Sequence, residues 1–220
     1  MWLLLPLLAV APSVARADTE AWANVEMRAP LVQGNPWLPN QLRVWSDFRF
    51  GYRYPGLGLT ALRVGPMWDL HPNLLLALHA TSLSLQTQPG VFVTETRLEV
   101  EPTLRLQVGP VLLLDRNRFE WRARPGIARP FWRYRNLLRA QWQPEGSDWM
   151  FFVSDEYLTH FATGFDQNRA SVGVGHVFAP GTRVELSYML RTRATPGGLE
   201  NDHVGVVLLF FAPPHPAPAK

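Results

Sequence analysis

Hydrophobic and polar residues alternate with a period of two along most of this chain. Between residues 22 and 31, for example, Ala23, Val25 and Met27 fall on one face, while Asn24 and Glu26 fall on the other. A period of two is that of β-strands, whose successive side chains point to opposite faces, whereas amphipathic helices repeat every 3.6 residues. The pattern therefore predicts an all-β protein.

Short stretches rich in proline, glycine and asparagine separate the alternating segments. They delimit eleven candidate strands, at residues 22–31, 41–52, 57–68, 74–85, 91–108, 112–124, 129–142, 149–158, 165–178, 183–193 and 202–211. Strands of this length with short turns are typical of an antiparallel up-and-down transmembrane β-barrel. Because single-chain bacterial barrels have even strand counts, we expect 10 to 12 strands, with 12 favoured.

A single domain is predicted between two terminal segments of different composition. Residues 1–17 read MWLLLPLLAVAPSVARA, an apolar run that ends in a small-x-small cleavage pattern, and this predicts a signal peptide and export. Residues 18–211 would form the barrel, and the proline-rich residues 212–220 a disordered tail. The later chain has no run of 18 apolar residues, so we expect any membrane crossing to use strands.

The alternation does not say which face points inward, and that choice separates a membrane barrel from a soluble one. The polar faces combine arginine with glutamate, which suits a water-filled or ion-paired interior. Aromatic residues near predicted strand ends suit the girdles found at membrane interfaces; they are Trp22, Trp37, Trp68, Trp142, Trp149 and Tyr157. We therefore predict a bacterial outer-membrane barrel, with a soluble periplasmic β-barrel binding protein as an alternative.

Charge and composition exclude several classes of function. The formal net charge is +3, and Lys220 is the one lysine among 21 basic residues. Arginine without lysine favours forked pairing with carboxylates over a mobile cationic surface, so with predicted export we expect no nucleic-acid partner. The chain has no cysteine, no histidine pair with metal-ligand spacing and no nucleotide-binding motif. No metal and no cofactor are therefore predicted.

The predicted interior carries a concentrated set of charges on five consecutive strands. Their inward positions are Arg118, Glu120, Arg122, Arg124, Arg133, Arg135, Arg139, Glu156, Arg169, Arg183, Glu185 and Arg191. Glu99 and Glu101 are further candidate ion-pair partners. Two interpretations stay open. In the first, the interior is a salt-bridged structural plug in which Glu120, Glu156 and Glu185 each pair with one or two arginines. In the second, the excess of arginine makes a narrow channel for small anionic solutes.

An outer-membrane lipid-modifying hydrolase is the enzymatic alternative, and it would be centred near His160. Ser154 lies six residues away on the same predicted strand, about 20 Å along it, which is too far for direct proton transfer. The chain is therefore expected not to be an enzyme, with His160 in a loop or at the rim. Asp155 is expected near the membrane interface or at a bulge, and Asp166 and Asn168 in the loop before their strand.

Several short motifs resemble those of the bacterial outer-membrane barrels grouped as domain of unknown function 2490. They are RNRFE at 116–120, WRYRN at 132–136, DEY at 155–157, GFDQNR at 164–169, VELSY at 184–188 and NDH at 201–203. The motif positions of interest are Asn117, Phe119, Asp155, Phe165, Asp166, Gln167, Asn168 and Tyr188. The resemblance implies an outer-membrane barrel surrounded by lipid, without an assigned activity. The aromatic final strand suits recognition by the barrel-assembly machinery, and the oligomeric state is left open.

Overall fold

The chain forms one closed β-barrel. The structure is a computed structural model that describes residues 19–31, 35, 38–51, 54–126 and 129–212. Within these residues there are eleven strands: β1 Thr19–Pro30, β2 Gln41–Phe50, β3 Leu57–His71, β4 Leu74–Gln88, β5 Val91–Val108, β6 Val111–Ala123, β7 Phe131–Trp142, β8 Trp149–His160, β9 Gly164–Ala179, β10 Thr182–Thr195 and β11 Gly198–Phe211. The predicted signal peptide and, beyond Ala212, the predicted tail lie outside the described residues.

Consecutive strands pair antiparallel, and the barrel closes through a parallel pairing of β1 with β11. In this closure Thr19 lies opposite His203, and Met27 lies opposite Phe211. Eleven strands fall within the expected range of 10 to 12, one fewer than the favoured twelve. In an up-and-down meander neighbouring strands alternate in direction. With an odd count, the first and last strands therefore run the same way and must close in parallel.

The two ends of the barrel are distinguished by their turns. The start of β1 and the turns after β2, β4, β6, β8 and β10 form one end, which we call the N-terminal rim. The other turns and the end of β11 form the C-terminal rim. Gly181 shows why glycine is needed in such a turn, because its φ is 79° and a Cβ there would overlap the backbone of Ala212.

The two faces of the barrel wall have opposite character. Charged side chains point inward and are buried, as shown by Glu120 at 0% and Arg118 at 2% exposure. Apolar side chains point outward and stay exposed, as shown by Leu98 at 54% and Val153 at 56%. The alternation in the sequence thus corresponds to an apolar outer surface around a polar interior, the reverse of the usual arrangement in soluble proteins. Among the described residues, no helix is long and apolar enough to span a membrane.

Each predicted strand coincides with an observed one to within four residues at either end. The orientation expected for Trp22 is wrong, because its side chain faces the interior and is buried rather than joining an outer aromatic girdle. Its Nε1 donates a hydrogen bond to Glu20 at 2.7 Å, and the guanidinium of Arg49 stacks 3.6 Å from its ring. Trp22 shares its face with Asn24, so alternation itself points it inward.

Candidate functional site

An ion-pair network occupies the interior of the barrel. In the described part of the chain, seventeen arginines form ion pairs with thirteen carboxylates, so arginine exceeds the acids by four. Most of these pairs are buried from solvent. A buried charge is costly unless it is paired and hydrogen-bonded, so each carboxylate here is held by arginine.

Carboxylates on β6 and β8 act as nodes of the network. Glu120 forms ion pairs with Arg133 at 2.7 Å and with Arg135 at 3.0 Å. Arg135 also reaches Glu156 at 2.7 Å, and Glu156 is bonded in addition by Arg116 at 3.0 Å and Arg169 at 2.9 Å. Because each guanidinium presents several N–H donors in a fixed fork, one arginine can join two carboxylates on different strands.

Some pairs cross the interior instead of joining neighbouring strands. Arg43 on β2 reaches Glu101 on β5 at 2.7 Å, and Arg139 on β7 reaches Glu185 on β10 at 2.9 Å. Two strands separate the partners in each case. Such contacts tie strands that are not neighbours in the wall together, a role that apolar packing takes in a soluble barrel.

All twelve of the interior positions predicted from the sequence point into the barrel. Glu185 pairs with Arg139 and Arg183, and Glu156 pairs with three arginines where one or two were expected. Arg191 pairs with Glu20 and Asp202 near the N-terminal rim. The predicted set omits other members of the network, which include Glu26, Arg43, Arg63, Glu95, Arg97 and Arg116. The same period of two would have found them on the first five strands and at Arg116.

A cavity of about 460 Å³ lies within the barrel. Among the described residues, its lining includes eleven arginines and four carboxylates, and nine of these arginines come from residues 91–179. The carboxylates are Asp47, Glu156, Asp166 and Glu185. Other acidic partners, such as Glu120, lie behind the arginines and are fully buried. The cavity surface is therefore cationic, although the network as a whole is closer to balance.

Side chains on β8 close the cavity toward the C-terminal rim. Phe152 lines the cavity, whereas the next inward residue toward that rim, Met150, is outside the lining and 1% exposed. Gly173 and Gly175 lie directly opposite these two residues on β9, and a Cβ at either glycine would overlap the facing side chain. The two glycines thus make room for the Phe152 ring and the Met150 thioether inside the narrow barrel.

The GFDQNR motif contains a bulge that turns Asp166 inward. Leu158 pairs with Gln167 but Thr159 pairs with Phe165, so Asp166 is the extra residue on β9. Its carboxylate lies 3.2 Å from Arg133 and 3.4 Å from Nε2 of His160. The expectation that Asp166 and Asn168 precede their strand is wrong, because β9 begins at Gly164.

His160 is the last residue of β8 and lines the cavity at the N-terminal rim. It contacts Asp166 and the ring of Phe131, whose centroid lies 5.3 Å away. Ser154 lies six residues along the same strand, opposite Arg139 and Ser171. His160 therefore has an acidic partner, but the nucleophile considered for it belongs to a different level of the barrel. The hydrolase remains the less favoured prediction.

Most of the family-motif residues point outward instead of into the cavity. Outward-facing polar residues lie directly opposite one another across six strands, in the order Asn117, Asn136, Tyr157, Asn168, Thr192 and Asn201. We call these six residues the outer polar row. Phe119 and Tyr188 are exposed on the same outer face, and Phe165 packs against Tyr157 with centroids 5.6 Å apart. Gln167 lines the cavity with Asp166.

Hydrogen bonds join the outer polar row to neighbouring side chains. Asn136 donates to Asp115 at 2.6 Å and to Asn117 at 3.1 Å, and Asn168 donates to Asp155 at 2.9 Å. Asp155 was expected at an interface or a bulge, yet it sits in regular register within β8. The side-chain amide of Asn168 stabilises the outward carboxylate of Asp155 there. Such partners stabilise polar groups on an outer surface that is otherwise largely apolar.

The described residues contain no group of three or more histidine, aspartate or glutamate side chains that could hold a metal ion. The carboxylates that cluster in the interior are bonded to arginine. The chemistry of this interior is therefore that of guanidinium groups, whose fixed N–H forks suit carboxylate, sulfate and phosphate groups.

Comparison with known proteins identifies a family. The family model described as "Protein of unknown function (DUF2490)" matches residues 19–202, which takes in the barrel from the start of β1 to the middle of β11. No curated protein and no solved structure matches the chain.

Proposed function

Since the chain belongs to the DUF2490 family, whose description assigns no function, we propose that it is a bacterial outer-membrane β-barrel that acts as a narrow channel for small anionic solutes. The observation that carries this proposal is the cavity of about 460 Å³, in which eleven lining arginines outnumber four carboxylates. Guanidinium groups keep their charge in proteins, and a cationic cavity with low-dielectric walls concentrates anions.

The polarity of the barrel wall supports the membrane location. Exposed side chains such as Leu98, Leu138 and Val172 form an apolar outer surface that water would not stabilise. A bilayer core would cover it, and the strands, of 10 to 18 residues, reach or exceed the 9 to 11 that a tilted membrane strand needs. Outer-membrane lipids and the barrel-assembly machinery would then be the partners of the protein. A soluble periplasmic barrel would leave this surface in contact with water.

The closed end of the cavity favours a second role, that of a purely structural barrel. Met150 and Phe210 are buried at 1% and 7% exposure, and both face inward near the C-terminal rim. If this layer stays in place, solutes would enter from the N-terminal rim without passing through. A channel requires the layer to move, and we expect its conductance to be small.

Anion flux tests the proposal directly. The full chain would first be shown to fractionate with outer membranes and to migrate differently before and after heating in detergent gels. Purified protein in liposomes that contain a chloride-quenched dye would then be exposed to external chloride, with a potassium ionophore to balance charge. We expect faster chloride entry than into protein-free liposomes. Equal rates in the two preparations would eliminate the channel and leave the structural role.

A further inference from the structure

The interior contains apolar surface that an ion-paired barrel does not need. Leu59, Leu83 and Leu85 on β3 and β4 form an inward-facing buried cluster, with Ala61 packed against it. All four residues line the cavity. In a barrel whose inner face is otherwise rich in arginine and glutamate, this cluster gives one side of the cavity the character of a hydrophobic pocket.

A second apolar cluster lines the cavity on the other side of β2. Trp22 and Met189 are buried members of it, and Val206 packs against it. Leu208 extends the lining along β11. In the closed barrel, β10, β11, β1, β2, β3 and β4 are consecutive neighbours, so both clusters belong to one continuous part of the wall. We call this part the apolar wall.

Nine of the eleven arginines that line the cavity come from residues 91–179, outside the apolar wall, and the other two are Arg49 on β2 and Arg63 on β3. Near the N-terminal rim they are concentrated around Glu95, which is bonded by Arg97 at 2.6 Å, by Arg122 at 2.7 Å and by Arg124. Three guanidinium charges meet one carboxylate at this place, which leaves a local excess of two positive charges. All three arginines line the cavity, whereas Glu95 is fully buried behind them. We call Arg97, Arg122 and Arg124 together the arginine wall.

We infer that the cavity binds amphipathic anions, which carry one carboxylate, sulfate or phosphate group on a hydrocarbon body. The inference rests on the proposed function, because it assumes that anions enter the interior. The anionic group would lie against Arg97, Arg122 and Arg124, where charge-assisted hydrogen bonds can form. The hydrocarbon body would lie against the apolar wall and leave water there. Small inorganic anions use the arginine wall alone and bind more weakly.

Calorimetry on the full chain in lipid nanodiscs tests this inference, with empty nanodiscs as the baseline. The probes would be octanoate, acetate, which lacks the long body, and octanol, which lacks the charge. Octanoate is expected to bind at least tenfold more tightly than either. Acetate lacks the methylenes that the apolar wall buries, and octanol lacks the charge that pairs with the arginine wall. Equal binding of acetate and octanoate, or of octanol and octanoate, would overturn the inference. Chloride flux that persists in that case would leave the proposed function standing.

Matched variants identify the two walls. Arg124→Gln removes one guanidinium from the arginine wall and leaves Glu95 with two partners, so octanoate should bind about tenfold more weakly. Arg183→Gln is its control, because that side chain has similar exposure and Glu185 keeps Arg139, but Arg183 lies outside the cavity lining. Unchanged octanoate binding in Arg124→Gln would contradict the assignment.

Two leucines on β4 provide the corresponding pair for the apolar wall. Leu83→Asn should weaken octanoate binding about tenfold and leave acetate binding unchanged, because only the hydrocarbon body contacts this position. Leu75→Asn is the control, since Leu75 is also inward and buried but belongs to a separate cluster outside the cavity lining. If both variants bind octanoate as the unaltered protein does, the apolar wall takes no part in binding.

Discussion

Arg43 on β2 and Glu101 on β5 meet inside the barrel, with Nη1 of the arginine 2.7 Å from Oε1 of the glutamate. Arg43 also pairs with Glu26, and Glu101 also pairs with Arg118, so a chain of alternating charges runs from β1 to β6. All four side chains are almost completely buried. The pairing is therefore not an exposed surface contact, and removal of one partner would leave a buried charge uncompensated.

Replacing Glu101 with glutamine is expected to destabilise the barrel strongly. The change leaves two buried arginines with one fewer carboxylate, and the loss of one partner from a buried pair costs about 3–5 kcal/mol. Arg105→Gln is the control, because its pair with Asp69 is partly exposed and such pairs contribute about 0–1 kcal/mol. Urea unfolding in detergent, followed by tryptophan fluorescence, measures both. Equal losses in the two variants would contradict the role assigned to the buried network.

Shortening Met150 is expected to increase conductance. Met150 fills the space above Gly175 near the C-terminal rim, so Met150→Ala should open space in the layer that closes the cavity at that end. Met27→Ala is the control, since Met27 faces outward and is exposed. Single-channel recording in planar bilayers compares the two variants. A conductance in Met150→Ala that equals that of the unaltered protein would place the restriction elsewhere.

The outer polar row is expected to depend on its internal hydrogen bonds. Asn136→Leu removes the amide that donates to Asp115 and Asn117, and the loss of a hydrogen bond to a charged group such as the Asp115 carboxylate costs about 1.5–3 kcal/mol. The neighbouring outward residue Leu138 provides the control Leu138→Val, which retains an apolar side chain. Urea titrations in lipid vesicles would compare their unfolding free energies. Unfolding of Asn136→Leu at the same urea concentration as Leu138→Val would show that these bonds are dispensable.

The strand positions and most inward-facing residues could be predicted from the sequence, because both depend on a local period of two. Arg118, Glu120 and Arg122 could be assigned to one face without knowledge of any other strand. The strand count was less secure. The even-number rule describes known bacterial barrels, and a parallel pairing of β1 with β11 also closes the barrel by backbone pairing.

Features that depend on register between strands could not be predicted. The extra residue at Asp166 shifts the alternation only locally, so its inward direction follows from the pairing of β8 with β9. The outer polar row likewise exists because Asn117 lies opposite Asn136 and Tyr157 lies opposite Asn168. Those residues are far apart in sequence. The cavity depends on how side chains pack in three dimensions, and the alternation along the sequence does not predict that packing.

The central claim is that the arginine-lined interior conducts anions, and the reversal potential of the full-length protein in planar bilayers under a potassium chloride gradient tests it most directly. Because eleven arginines and four carboxylates line the cavity, we predict a reversal potential near the chloride equilibrium potential, with the same sign in Met150→Ala. A reversal potential near that of potassium, or no current in either protein, would contradict the account.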